Sequence, residues 1–167
     1  MNKYSKIVLF LLGLTGFMAC LKPEEYPIEP AIEFLRFERY GDTGVVLINF
    51  TDGDGDIGLT ETQDDPPFDT SSIYYHNLFI DYYEKVNGVF VQGQSIPAGD
   101  PIAFNFRVQN ITPQGQNKAL KGEIRVTLAP SFYNPFSSNS DTIMYKIRLC
   151  DRALHMSNEV ESPEIIR

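Results

Sequence analysis

Asp52, Asp54 and Asp56 recur at every second residue of Phe50-Thr51-Asp52-Gly53-Asp54-Gly55-Asp56-Ile57-Gly58-Leu59, with a glycine between successive acids. Carboxylates at i, i+2 and i+4 can converge on one point when the backbone between them curls tightly. An oxygen-only cage of that kind suits a hard divalent cation, calcium above all. Gly53 and Gly55 permit the curl, because glycine reaches positive φ without a Cβ clash. Three carboxylates within five residues repel one another unless neutralised, which favours ion binding. The other reading is a solvated acidic turn, since Asp-Gly pairs are also ordinary hairpin chemistry.

The D-x-D-x-D spacing matches the opening of an EF-hand, but the sixth position is Ile57 where the sharp turn needs glycine, and the twelfth is Gln63 where a bidentate glutamate belongs. The preceding run Val45-Val46-Leu47-Ile48-Asn49-Phe50 is β-rich, so the loop hangs from a strand rather than from a helix. The acid-rich stretch Thr60–Asp69 follows at the same end. It could supply a further ligand, but its length and two prolines also suit a solvated loop, and Asp64 and Asp65 are expected to be solvated.

Other constellations carry less chemistry. Asp151, His155 and Ser157 are the residue types of a nucleophilic triad, yet no nucleophile elbow or oxyanion-hole motif surrounds Ser157, and turn chemistry explains them better. His76 and His155 are the only histidines and lack an HExxH-type partner, which argues against zinc. No enzyme signature emerges, and the chain is read as non-catalytic. The aromatics are more informative. Tyr74-Tyr75 and Tyr82-Tyr83 cannot all point inward on alternating strands, and Phe132, Tyr133 and Phe136 sit in a Ser/Asn-rich loop. Exposed rings there suit a protein interface or the stacking of a sugar; the alternative is a loop folded back to cap the sandwich.

The elements that must position these residues are strands. Ile102, Phe104, Phe106 and Val108 alternate with polar or small residues, as do Ile124, Val126 and Leu128, and Ile143, Tyr145, Ile147 and Leu149. Leu78–Glu84 and Val89–Val91 are joined by Asn87-Gly88, a two-residue hairpin signal. A first strand near Ile32–Phe37, the strand before the acid loop and a last one near Val160–Ile165 bring the total to seven or eight. No stretch keeps a helical period. The expected fold is all-β, an antiparallel two-sheet sandwich over residues 31–167.

Residues 1–19 read as a signal peptide: Lys3 and Lys6, then the short apolar run Ile7–Leu14, then small residues up to Ala19. Cys20 after Ala19 resembles a bacterial lipobox, in which the cysteine is acylated and becomes the new N-terminus; Phe17 departs from the leucine usual three residues earlier. Lipidation at Cys20 would leave Cys150 alone and preclude an intramolecular disulfide. Residues 20–30, with three prolines in Leu21–Pro30, are expected to form a stiff tether. Removing the signal deletes two lysines and no acids, taking the formal charge from −8 to −10. Nucleic acid is then a poor partner, because phosphate binding needs a basic footprint.

Two further blocks carry resemblances. Tyr145, Asp151 with Ala153, and Ser157 with Asn158 resemble the last hairpin of bacterial immunoglobulin-like domains. The strand followed by D-G-D-G-D-I-G-L resembles small envelope lipoproteins of Bacteroidetes-type bacteria, and Lys22 with Glu24 and Glu25 resembles their surface-export signal, interrupted by Pro23. The resemblances imply an immunoglobulin-like sandwich anchored in the outer membrane, cell-surface exposed or periplasm-facing. In such a sandwich the loops after the second and the penultimate strands share one end, which would bring Asp151 to Asp52, Asp54 and Asp56. The expected function is a membrane-anchored, calcium-binding interaction module of an outer-membrane protein complex, or alternatively a glycan-binding surface lipoprotein that assists polysaccharide uptake.

Overall fold

The computed structural model describes residues 24–167, and the signal peptide and Cys20 lie outside the described residues. Nine strands follow one another: β1 Ala31–Tyr40, β2 Thr43–Asp52, β3 Leu78–Val86, β4 Val89–Gln92, β5 Ala103–Phe106, β6 Leu120–Leu128, β7 Thr142–Leu149, β8 Val160–Glu161 and β9 Ile165–Ile166. One 3-10 turn, Ile73–Tyr75, is the only helical element among the described residues. The strands form two antiparallel sheets, ordered β1-β2-β6 and β4-β3-β7-β8, with β5 paired to β3 and β9 to β7. This is an all-β two-sheet sandwich. The placement of the sixth strand beside the second, and of the third beside the seventh, follows immunoglobulin-type strand order.

Period-two alternation builds the core. Ile80 and Tyr82 of β3 and Tyr145 and Ile147 of β7 meet Val46, Ile48 and Phe50 of β2. Asn87-Gly88 closes the β3–β4 hairpin with both residues at positive φ, and Val86 pairs with Val89 across it.

Two strands differ from the alternation pattern. The stretch from Ile102 to Val108 pairs only over Ala103–Phe106, because the Val108 N–H turns to donate to Asn77 Oδ1 at 2.6 Å. The last strand is split into β8 and β9 at Ser162-Pro163, which makes nine strands rather than seven or eight. Pro163 has no N–H to give the ladder, and the Ser162 hydroxyl instead accepts the Tyr145 N–H at 3.0 Å.

The connection between β6 and β7 tucks into the sandwich. Phe132 is fully buried, its ring 5.2 Å from that of Phe37. The buried Tyr145 hydroxyl donates to the Phe132 carbonyl, a tyrosine corner fastening this connection to β7. The Tyr82 hydroxyl accepts the Asn134 N–H at 3.1 Å and donates to the buried Glu84 carboxylate at 3.0 Å.

Candidate metal centre

β2 ends at Asp52, and β7 leads through Cys150 into Asp151, at the same end of the sandwich. One carboxylate oxygen from each of Asp52, Asp56 and Asp151 lies within 4.8 Å of the other two. Oxygens bound to a single calcium at about 2.3–2.6 Å can be at most about 5 Å apart, so this spacing fits a shared ion.

The loop is shaped by its own hydrogen bonds. Asp52 Oδ2 accepts the Asp56 N–H at 2.8 Å, while Asp56 Oδ2 accepts the Ala153 N–H at 3.0 Å from the opposite hairpin. The Arg152 N–H reaches the Asp56 carbonyl at 3.3 Å. Arg152 then donates to the Gly58 carbonyl at 2.8 Å and the Thr112 hydroxyl at 2.6 Å, so its charge closes the outer side of the loop. Asp151 accepts from the His155 N–H at 2.7 Å and lies 2.9 Å from His155 Nδ1.

These bonds leave two acceptors over. Asp52 is wholly buried, and its Oδ1 has no hydrogen-bond partner; the buried Oδ1 of Asp56 has none either. A buried, unpartnered carboxylate oxygen is costly, and a cation is the partner whose chemistry fits all three side chains. Burial, with Asp54 and Asp56 alongside, pushes Asp52 up to about 6. Asp56 is raised by burial and then by Asp151 and Asp54, while Arg152 opposes the shift. An acid that resists ionisation for want of a counter-charge gains most from receiving one.

Asp54 is exposed and stands at the rim, outside the converging triad, although its charge is felt by Asp52 and Asp56. Gly55 has φ +69, and a Cβ there would strike the Lys118 carbonyl. Gly53 serves differently from the sequence expectation. It is needed for space rather than for positive φ, because a Cβ would collide with the Tyr26 carbonyl and lie 2.6 Å from that of Pro27. Asp64 and Asp65 are exposed, and their loop is pinned by Arg107, which donates to the carbonyls of Thr60 and Gln63 and, at 2.7 Å, of Tyr75.

Ser157 belongs to no triad. Its hydroxyl accepts the Leu149 N–H at 2.9 Å and donates to the Asn158 carbonyl at 2.7 Å. Cys150 is buried, and burial pushes its thiol up to about 11, away from reactivity. The aromatic expectation needs correction at Phe132: it lies in the core and cannot meet a sugar or partner, because the Tyr145 bond draws its backbone inward. Tyr133 is half-buried beneath the Arg167 guanidinium, 4.7 Å from the ring centroid, and Phe136 alone stands out, 76% exposed.

Leu154 was not singled out by sequence. It holds φ +68, a left-handed conformation unusual for a branched residue, in the turn that carries Asp151. The signal was the short Asp151–His155 reversal without a glycine.

Compared with protein families, with curated proteins and with solved structures, the chain finds no match in any of the three.

Proposed function

We propose that this protein is a membrane-anchored, calcium-binding, non-catalytic interaction module of the bacterial cell envelope. The reading is carried by one observation: two buried, unpartnered aspartate oxygens beside a third carboxylate, all at one end of a rigid sandwich. Asp52, Asp56 and Asp151 would hold the ion, with Asp54 at the rim. A cation there ties the loop after β2 to the hairpin after β7 and fixes the loops that a partner would meet. The donors are all oxygens, which suits a hard cation rather than zinc.

The anchor is the proposed acyl group on Cys20, which lies outside the described residues, and the partner is an outer-membrane protein. Glycan binding through loop aromatics has lost Phe132 and keeps one well-exposed ring, so the protein-interaction reading is preferred.

Calcium titration followed by calorimetry tests the site. An ion that binds the folded state alone raises stability by roughly 2.7 kcal/mol at a hundred times its dissociation constant. A melting temperature indifferent to both calcium and chelator would leave the aspartates as an acidic turn. Cys20→Ala should release the protein from the membrane fraction, and retention there would overturn the lipid anchor.

A further inference from the structure

We propose that occupancy of the Asp52, Asp56 and Asp151 site decides whether the N-terminal segment Tyr26–Glu29 lies docked across the acid loop or swings free of it. The inference rests on the cation reading and adds a regulated consequence to it.

The segment lies against the acid loop at Gly53. The carbonyls of Tyr26 and Pro27 occupy the space that a side chain at Gly53 would fill, so the bare Cα between Asp52 and Asp54 is the seat of the segment. Beyond Glu29 the chain is firmly fixed, with Pro30 buried and Ile32 clamped by Asn158.

Between Tyr26 and Glu29 the hold is weak. Among the described residues, the one hydrogen bond made by these four residues is from the Tyr26 hydroxyl to Glu24, just ahead of the segment and not part of the acid loop. Docking therefore depends on the shape of the acid loop beneath. That shape is set by the bonds of Asp52 and Asp56, which the mutual repulsion of three carboxylates strains and a cation would relieve. Such coupling is reciprocal: if the ion favours docking, docking must favour the ion by the same factor. Releasing four residues into extended chain would lengthen the reach from the anchor by roughly 12 Å, at about 3.1 Å per residue.

The test uses the 15N-labelled chain from residue 21 onward, with calcium chloride as the probe and excess chelator as the reference. Calcium should bring the order parameters of the Tyr26, Ile28 and Glu29 amides near about 0.85, and chelator should drop them below about 0.6. Calorimetric titration of the same sample separates the failures. Without calcium binding, the cation reading falls and this one with it. With binding but unchanged order, the linkage alone is overturned.

Deleting residues 21–29, of which 24–29 take no part in the core, should weaken calcium binding at least about fivefold. Gly53→Ala should weaken both binding and order, because its methyl group meets the seated carbonyls. Should that variant not fold, the deletion decides: unaltered affinity without the segment overturns the linkage.

Discussion

The side chain of Asn158 pairs with both backbone groups of Ile32, accepting its N–H at Oδ1 and donating from Nδ2 to its carbonyl, each at 2.9 Å. A side-chain amide thus does the work of a strand partner and joins β1 to the hairpin that carries Asp151. Asn158→Ala should lose about 1–3 kcal/mol in urea denaturation, since it strips a donor and an acceptor from one residue. Asn158→Asp keeps the acceptor alone and should fall between.

Tyr145→Phe removes the hydroxyl that fastens the Phe132 carbonyl and leaves that buried acceptor unpaired. The expected loss is about 1–3 kcal/mol in chemical denaturation, with calcium affinity unchanged because the corner lies away from the carboxylates. A shift in calcium affinity would count against that separation.

Asp52→Asn should abolish the calcium-dependent rise in melting temperature. In chelator the same variant should match or exceed the wild type, because it removes a charge that burial and its neighbours disfavour while keeping an acceptor for the Asp56 N–H. A variant weaker than wild type in chelator would mean that the carboxylate stabilises the loop without an ion.

The pH dependence has a definite sign. Asp52 is lifted from 3.8 to about 6, so across that window the folded domain keeps a proton that the unfolded chain has lost. Protonation favours folding there, and stability falls as pH rises from about 4 to 6. The cost is on the order of 3 kcal/mol at about 1.4 kcal/mol per pH unit. His155, raised by Asp151, acts in the same sense: its contribution is full below the unfolded value and lost as pH rises through the folded one. Urea unfolding in calcium-free buffer at pH 5, 6 and 7.5 should show the decline, and saturating calcium should flatten it.

Phe132→Ala should cost about 3–5 kcal/mol, the usual penalty for emptying a core aromatic site. Phe136→Ala should leave stability within about 0.5 kcal/mol, its ring being mostly in water. Binding of a polysaccharide lost only in Phe136→Ala would move the function toward glycans.

The sandwich was legible because alternation and Asn87-Gly88 are local signals that tertiary packing did not override. The nearness of Asp151 to the acid loop followed from the immunoglobulin-like arrangement that the resemblance implied. Phe132 could not be read, because a loop aromatic turns inward only if something fixes its backbone, and Tyr145, thirteen residues away, does so. The role of Gly53 was hidden for a similar reason: its crowding comes from Tyr26 and Pro27, far off in the chain. Ser162-Pro163 hid the split of the last strand, since a hydroxyl substitutes there for a backbone partner.

The burial of Cys150 makes the molecule its own reporter. A chain that begins at residue 21 has this single thiol, 1% exposed, at the root of the hairpin bearing Asp151. Reagents that label thiols can reach it only when that hairpin breathes, so the labelling rate measures the opening of this one corner in the native protein.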